Sequence, residues 1–150
     1  METTVKIRPV RPGDEALWHV LWEAYCDFYG QALSASVTEQ VWARLLDSDC
    51  AINGVVAASD TGALLGFAHY VLHPHTWSGK TLCYLEDLYV APDARGRGVG
   101  HALIAYLLET GKQNGWGRVY WHTETSNDPA RRLYDRFTQA DDFVRYTVAL

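Results

Sequence analysis

The residues best suited to chemistry form a run of alternating glycines flanked by two arginines, Arg95-Gly96-Arg97-Gly98-Val99-Gly100. The run lies between a segment with strand character and a segment with helical periodicity. A helix N-terminus presents unpaired N–H groups and a partial positive charge, and glycines let a phosphate approach that backbone closely. Arg95 and Arg97 add charge and forked donors. The pattern therefore predicts a pyrophosphate site where a helix begins.

Other phosphate-binding loops fit this run less well, and a glycine-rich turn without a ligand stays open as the alternative. A Walker A loop needs Lys followed by Ser or Thr directly after its last glycine, and neither follows Gly100. A dinucleotide-binding loop spaces its glycines as G-x-G-x-x-G, whereas here they run G-x-G-x-G. The local pattern favours a phosphate site of another kind.

Carboxylates before the glycine run and a tyrosine after it could take part in proton transfer. Glu86 and Asp87 are neighbours on a strand, so we expect them on opposite faces, and one could be a structural partner for an arginine. Tyr134 lies on an apolar helical stripe, where a core tyrosine with a satisfied hydroxyl is the alternative. Asn127 could be a helix N-cap, a ligand contact or both.

The spacing of apolar residues predicts the strands and helices that must position these groups. The predicted strands are Val5 to Val10, Cys50 to Ala58, Leu64 to Leu72, Thr81 to Val90, Arg118 to Thr123 and Phe143 to Val148. Four helices are predicted. The first follows Asp14, and the second covers Ser36 to Asp47 with Thr38 near its cap. The third runs from the glycine run to about Asn114, and the fourth begins at Asn127. We expect the first helix to bury Leu17, Val20, Leu21, Ala24, Tyr25 and Phe28.

The order of these elements predicts the fold class. The turn signal Ser59 to Gly62 predicts an antiparallel hairpin, and the strand, helix and strand from Thr81 to Thr123 predict a parallel pair. The result is an α/β fold (α+β mixed) with one mixed sheet and helices on its faces. No linker or repeat divides the 150 residues, so residues 1–150 are expected to form a single domain.

Composition and charge narrow the functions further. The formal net charge of -5 disfavours a nucleic-acid binder, and the absence of an apolar run of about 18 residues argues against membrane insertion. The three cysteines form no close pair, so we expect a reducing, cytoplasmic setting. His73 and His75 form a pair without a third ligand in sequence, and we predict no metal site.

Three motifs resemble one family. The run Arg95 to Gly100 matches the R/Q-x-x-G-x-G/A acetyl-CoA motif of the GNAT superfamily of N-acetyltransferases. Tyr84 to Val90 is similar to that family's fourth strand, and Asn127 to Tyr134 matches its N-x-x-A-x-x-x-Y segment. The resemblance covers about Val5 to Val148. Within the superfamily, Leu85-Glu86-Asp87 is similar to the spermidine/spermine (diamine) and thialysine acetyltransferases. More similar to the yeast Hpa-type histone and polyamine acetyltransferases are the segments Leu21 to Tyr29, His75-Thr76-Trp77 and Val119-Tyr120-Trp121.

The resemblance implies a GNAT fold, with a mostly antiparallel mixed sheet that splays after its fourth strand and is flanked by helices. It implies acetyl-CoA as cosubstrate, with pantetheine along that strand and pyrophosphate at the glycine run. Tyr134 would face the sulfur, and Glu86 matches the proposed base. The implied cofactor-binding residues are Leu88, Tyr89, Val90, Arg95, Gly96, Arg97, Gly98, Val99, Gly100, His101, Asn127, Arg131 and Tyr134.

The implied reaction is direct transfer of acetyl from acetyl-CoA to a primary amine in a ternary complex. Glu86 would accept the amine's proton, an N–H near Leu88 would stabilise the developing oxyanion, and Tyr134 would protonate the thiolate. Glu86 and Asp87, with Glu23 and Asp27 on the first helix, are candidates to bind a cationic acceptor; an ordinary solvated helix face is the alternative for the helix pair.

The acceptor and the assembly stay open at this level. Polyamines or diamines, amino acids and protein lysines are all compatible with the motifs. A non-catalytic acetyl-CoA-binding sensor is the alternative function, although it would tolerate loss of Glu86 and Tyr134. The resemblance also implies a homodimer, for which exchange of the final strand is one route.

Overall fold

The computed structural model describes residues 4–150, whose strands form one five-stranded sheet in chain order. The strands are β1 (Val5–Pro9), β2 (Ile52–Ser59), β3 (Leu64–Pro74), β4 (Thr81–Val90) and β5 (Arg118–Tyr120). The helices are α1 (Glu15–Phe28), α2 (Ala35–Leu46), α3 (Val99–Asn114) and α4 (Asp128–Tyr134), with short 3-10 turns at Pro12–Asp14 and Pro92–Ala94.

The sheet is mixed, as the sequence predicts. β1 to β4 pair antiparallel with their neighbours in the chain, and β5 pairs parallel to β4. The parallel pair follows from the connection through α3, because a strand that returns after a crossover helix runs in the same direction as the first. The α/β fold class is confirmed.

Two apolar clusters cover the two faces of the sheet. On one face, α1 and α2 bury Trp18, Trp22 and Trp42 against Val56 and Phe67. On the other face, α3 buries its apolar stripe against the sheet, and α4 packs at the side of that cluster; the α3 residues concerned are Val99, Leu103, Ile104 and Leu107. Each helix therefore has a fixed position relative to β4.

The face that α1 buries agrees with the predicted one only in part: Leu21 is buried, and Ala24 and Tyr25 pack against the same core. Leu17, Val20 and Phe28 are 47%, 64% and 64% exposed, whereas Trp18 and Trp22 are buried. Both stripes repeat at helical spacing, but two indoles remove more apolar surface from water than the aliphatic residues beside them, so burial of the tryptophans determines the rotation of α1.

The second helix begins at Ala35, before the predicted Ser36. The side-chain oxygen of Ser34 accepts a hydrogen bond from the Val37 N–H at 3.4 Å and caps the helix. Thr38, which we expected near the cap, lies inside the helix and is buried.

The closing strand predicted from Phe143 to Val148 does not form. Residues 139–150 make no strand, and the side chains of Phe143, Tyr146 and Val148 are 87%, 92% and 83% exposed. Alternation of apolar and polar residues allows a segment to pair as a strand but does not supply a neighbouring strand. The strand predicted to reach Thr123 is also shorter, because β5 ends at Tyr120. The described chain thus provides no strand beside this tail.

A partly buried ion pair fixes the start of α1 against β1. Arg8 donates to both carboxylate oxygens of Asp14, from Nη1 at 2.7 Å and from Nη2 at 2.9 Å, and Asp14 also accepts the Arg11 N–H at 2.8 Å. The hydrogen bond from Arg8 is the main reason that the pKa of Asp14 is lowered. A lowered folded-state pKa stabilises the fold above the unfolded pKa, and that contribution disappears as pH falls through the folded value.

We expect Asp14→Asn to lower the free energy of unfolding by about 2 kcal/mol at pH 7, because it leaves the partly buried Arg8 guanidinium without its anion. The difference from wild type should shrink below about pH 4. Urea unfolding followed by circular dichroism measures both effects. The matched control is Glu15→Gln, which removes the same charge from the next, exposed position; an equal loss in that variant would contradict the assignment.

Among residues 4–150, no helix combines the length and the apolar composition needed to cross a lipid bilayer.

Candidate active site

The parallel strands β4 and β5 pair over only three residues each, and this leaves the rest of one edge of β4 open. β5 pairs only with Leu82 to Tyr84, so the edge from Leu85 to Val90 has no strand beside it among the described residues. The Ala91 N–H donates to the Leu65 carbonyl on the β3 side at 2.8 Å. Because successive strand amides alternate in direction, the N–H groups of Leu88 and Val90 point to the open edge. That edge can accept an extended ligand as a further strand.

The glycine run lies at the end of this open edge and begins α3. Gly96 and Gly98 have φ values of 73° and 79°, a region that glycine adopts without strain. The N–H groups from Gly96 to His101 have no hydrogen-bond acceptor among residues 4–150. A row of free amides at a helix N-terminus, beside an exposed Arg97, fits the pyrophosphate of a nucleotide cosubstrate such as acetyl-CoA.

Gly100 has a packing role as well. A Cβ at this position would lie 3.0 Å from Leu133 Cδ2. The missing side chain therefore lets α4, which carries Tyr134, pack closely against the beginning of α3.

Arg95, Asn127 and Arg131 already have partners within the chain. Arg95 Nε donates to the Val90 carbonyl at 3.0 Å, and its guanidinium lies 5.5 Å from the centre of the Tyr89 ring. Asn127 Oδ1 accepts the Ala130 N–H at 3.3 Å and caps α4, which leaves its amide nitrogen free for a ligand. Arg131 Nη1 donates to the Thr125 carbonyl at 2.9 Å. These side chains hold the loops around the open edge.

A β-bulge in β4 changes where its two carboxylates point. Asp87 lies opposite His69 and Leu85 lies opposite Tyr70, so Glu86 is the extra residue. Leu85 and Leu88 both pack in the cluster beneath α3, although strict alternation would place them on opposite faces. The bulge breaks the strict alternation on which the expectation of opposite faces for Glu86 and Asp87 rests.

The surroundings of Glu86 suit a base. Burial and, second, the charge of Asp87 raise the pKa of the Glu86 carboxyl above its ordinary value. Asp87 itself is held by two donors: the Tyr25 hydroxyl at 2.6 Å to Oδ1 and His69 Nδ1 at 3.0 Å to Oδ2. The bulge thus presents two carboxylates, of which Asp87 is fixed by neighbours on α1 and β3.

Tyr134 ends α4 beside the open edge's apolar cluster. Its ring lies 5.5 Å from that of Trp121, and its hydroxyl makes no hydrogen bond within residues 4–150. Burial, with a smaller contribution from Tyr29, raises the pKa of Tyr134 to about 12. The phenol therefore keeps its proton at neutral pH and can give it to a developing anion.

The structure does not bring Glu23 and Asp27 to the two carboxylates of the bulge. Both are exposed, and Glu23 pairs with His19 across one helical turn at 3.7 Å. Glu23 lies two positions before Tyr25 and Asp27 two positions after it. Residues two positions apart on a helix do not share a face, so these carboxylates do not project with the Tyr25 hydroxyl toward Asp87. The contribution of α1 to the site is the Tyr25 hydroxyl.

Sequence reasoning missed two residues of this site. Tyr25 carried a signal only as one aromatic of a predicted apolar stripe, and its hydroxyl gave no indication of a partner. His69 is the one histidine in the apolar and aromatic run Phe67-Ala68-His69-Tyr70-Val71, which is an unusual place for that residue type. A buried polar residue in a core strand predicts a fixed hydrogen-bond partner, so this position of His69 is the signal in the sequence that indicates the contact.

No group of three or more His, Cys, Asp or Glu side chains suited to a metal ion occurs in the part of the chain that the structure describes.

Comparison with known proteins identifies the family. Residues 15–138 match the acetyltransferase (GNAT) family. The chain belongs to the GNAT family. It is an acetyl-CoA-dependent N-acetyltransferase, and the GNAT resemblance of its three motifs is confirmed.

Individual relatives of this GNAT enzyme agree with the assignment. It is 33% identical over 143 residues to the D-amino-acid N-acetyltransferase HPA3 of Saccharomyces cerevisiae, covering 95% of this chain and 89% of the relative. It is 30% identical over 98 residues to the thialysine N-epsilon-acetyltransferase of Mus musculus, covering 63% of this chain and 56% of the relative.

Solved structures show the same fold at lower sequence identity. The ribosomal-protein-alanine N-acetyltransferase of Brucella melitensis has a TM-score of 0.82 at 23% identity, covering 98% of the GNAT chain and all of its own. A structure described as a probable acetyltransferase has a TM-score of 0.86 at 23% identity, covering 97% of both chains. The GNAT fold predicted from the sequence is confirmed.

Proposed function

We propose that this enzyme transfers acetyl from acetyl-CoA directly to a primary amine within a ternary complex. One observation carries the proposal: the open edge of β4 and the carboxylate of Glu86 belong to the same strand, and Glu86 lies two positions before Leu88. A thioester held along that edge would stand beside a carboxylate that can take the amine's proton.

Each step has a residue suited to it. Acetyl-CoA supplies the activated acyl group when it is bound. The Leu88 N–H, which points to the open edge, is placed to hold the carbonyl oxygen as negative charge develops. Glu86 accepts the proton that the amine loses, and the protonated phenol of Tyr134 gives a proton to the departing sulfur.

The protonated state of the two buried cysteines supports transfer without an acetylated enzyme. Cys83 is fully buried, and burial raises its pKa to about 12. Burial also raises the pKa of Cys26. The thiolate is the nucleophilic form of cysteine, so neither residue suits a covalent intermediate.

We propose the amino group of a small amino acid as the acceptor. The support is the similarity to a D-amino-acid N-acetyltransferase over nearly the whole chain and to a thialysine N-epsilon-acetyltransferase over part of it. Glu86 and Asp87 would attract the ammonium group in any of the acceptor classes. Polyamines or diamines and protein lysines are therefore the alternatives that the experiment must separate.

The test is a panel of acceptors: D- and L-amino acids, thialysine, putrescine, spermidine and a lysine-containing peptide. Thiol release gives the rate, and mass spectrometry of the product locates the acetyl group. Acetyl-CoA binding is measured separately by calorimetry. Turnover of amino acids above the polyamines and the peptide supports the proposal. Tight acetyl-CoA binding without turnover of any amine would contradict it and favour a sensor.

We also propose a homodimer assembled through the tail of residues 139–150. Five apolar side chains of this tail are exposed: Phe143, Val144, Tyr146, Val148 and Leu150. A segment with that much exposed apolar surface gains by pairing with a second chain. A second copy of the chain offers the same tail and the outer edge of β5, which is unpaired among residues 4–150.

Deletion of residues 141–150 is expected to convert the protein from a dimer to a monomer, because it removes the strand that the two copies would share. Light scattering after size-exclusion chromatography measures the mass at micromolar concentration. Tyr146→Asp, which places a charge on the same surface, should weaken the dimer, whereas Lys112→Glu on α3 should not. A monomeric mass for the undeleted 150-residue chain would refute the proposal.

We place the enzyme in the cytoplasm as a single domain of residues 1–150. The three free cysteines and the single sheet with helices on both faces support this proposal.

A further inference from the structure

A histidine without solvent contact lies behind the two carboxylates of the bulge. His69 is 2% exposed, and both of its ring nitrogens have partners. Trp18 Nε1 lies 3.0 Å from His69 Nε2, and Asp87 Oδ2 lies 3.0 Å from His69 Nδ1. Trp18, 51 positions away in the chain, is 0% exposed. The contacts form a chain from the core between the helices and the sheet to the edge of the site.

The partner on Nε2 determines the proton on Nδ1. An indole N–H can only donate a hydrogen bond, so Nε2 of His69 must accept. A ring nitrogen that accepts carries no proton, and the proton of the neutral ring therefore lies on Nδ1, from which it is donated to Asp87. Trp18 thus selects one tautomer of His69 and keeps the second nitrogen occupied.

The same carboxylate accepts a second donor from α1. The Tyr25 hydroxyl donates to Asp87 Oδ1 at 2.6 Å, so each oxygen of Asp87 is held by a different element. Both donors are neutral groups, which means that the negative charge of Asp87 is oriented without being cancelled by a cation. Asp87 is 17% exposed and adjoins Glu86 in the bulge.

We propose that Trp18, His69 and Tyr25 are positioning residues for acetyl transfer, because they hold Asp87 as a fixed, uncompensated carboxylate that makes Glu86 a stronger base. The inference rests on the proposed role of Glu86. A positive charge on the His69 ring would favour the ionised form of Glu86 and so make the Glu86 carboxylate a weaker base, which is the opposite of the effect of Asp87. The hydrogen bond from Trp18 prevents that charge on the ring.

Other titratable groups face this pair and must be considered in a pH experiment. Those of α1 are Tyr25, Cys26 and Tyr29, and those of the sheet are His69 and Tyr84. Burial raises the pKa of Tyr25, Tyr29 and Tyr84, so the three phenols add no charge near neutral pH. A charged group of the tail, Arg145, also acts on Tyr84.

Trp18→Phe tests the inference, with Trp42→Phe as the matched control. Trp42 is also buried, and its ring centre lies 4.9 Å from that of Trp18, but its indole makes no hydrogen bond within residues 4–150. In Trp18→Phe, we expect the acidic limb of the kcat/KM profile to move down by about half to one pH unit, with a lower plateau. Trp42→Phe should keep the acidic limb of wild type.

The tautomer of His69 is read directly from a long-range nitrogen–proton NMR spectrum of the ring at pH 7. Wild type and Trp42→Phe should show a single form protonated on Nδ1, and Trp18→Phe should lose it. A wild-type ring protonated on Nε2 would overturn the inference without any variant, as would identical pH profiles for the two tryptophan variants. If wild type acetylates no amine, the proposed function fails, while the spectrum still decides whether Trp18 fixes the ring.

Discussion

Glu86→Gln is expected to lower kcat/KM for the amine by about a hundredfold or more, which is the usual range for losing a general base. The amide cannot accept the proton that the amine must release, yet it keeps the size of the side chain. The wild-type profile should rise with pH as Glu86 ionises, and the rise should lie above the ordinary pKa of a glutamate because burial and Asp87 raise the pKa of Glu86. Initial rates between about pH 5 and 9 measure both effects.

Two controls separate the base from other causes of a pH profile. Glu109→Gln removes the same charge from an exposed position of α3 and should leave the profile unchanged. Rates are also compared for two amines of different basicity. An acidic limb of the pH profile that comes from the enzyme stays at the same pH for both amines, whereas a limb that comes from ionisation of the substrate shifts with the pKa of the amine. A Glu86→Gln variant that keeps its rate and its acidic limb would exclude Glu86 as the base.

Tyr134→Phe is expected to lower kcat by about a hundredfold while binding of acetyl-CoA changes little. The phenol holds its proton at neutral pH because burial raises its pKa to about 12, so wild type should show no alkaline loss from this residue below about pH 10. Removal of the hydroxyl leaves the departing thiolate without a donor. Single-turnover rates report the chemical step, and calorimetry reports the binding of acetyl-CoA.

The matched control is Tyr106→Phe on α3, which removes a hydroxyl from another partly buried tyrosine of the same apolar cluster. It should keep kcat near that of wild type. If Tyr134→Phe weakens acetyl-CoA binding in proportion to its loss of rate, the hydroxyl binds the cosubstrate and does not protonate the sulfur.

The parts of the fold that depend on local chemistry could be predicted from the sequence. β4 has the predicted bounds Thr81–Val90, and α3 ends at Asn114 because Gly115 follows it in a left-handed conformation, with φ of 70°. The glycine run lies between them because its residues permit the turn and the helix start. These features need only the residues within each segment.

The features that escaped prediction depend on contacts between distant segments. The bulge at Glu86 results from the register between β3 and β4, and single-strand alternation cannot reveal it. The hydrogen bond between Trp18 and His69 joins residues 51 positions apart. The tail from Phe143 has the alternation of a strand but no neighbour in the described chain, so the pattern alone could not determine its structure.

The most direct test of direct transfer is an initial-rate study in which acetyl-CoA and the amine are varied together. We predict intersecting lines in double-reciprocal plots, and no acetyl group retained on the protein after acetyl-CoA is added without amine. Intersection would mean that both substrates are bound before the acetyl group moves, as the open β4 edge beside Glu86 requires. Parallel lines, with an acetylated protein isolated in the absence of amine, would contradict that account.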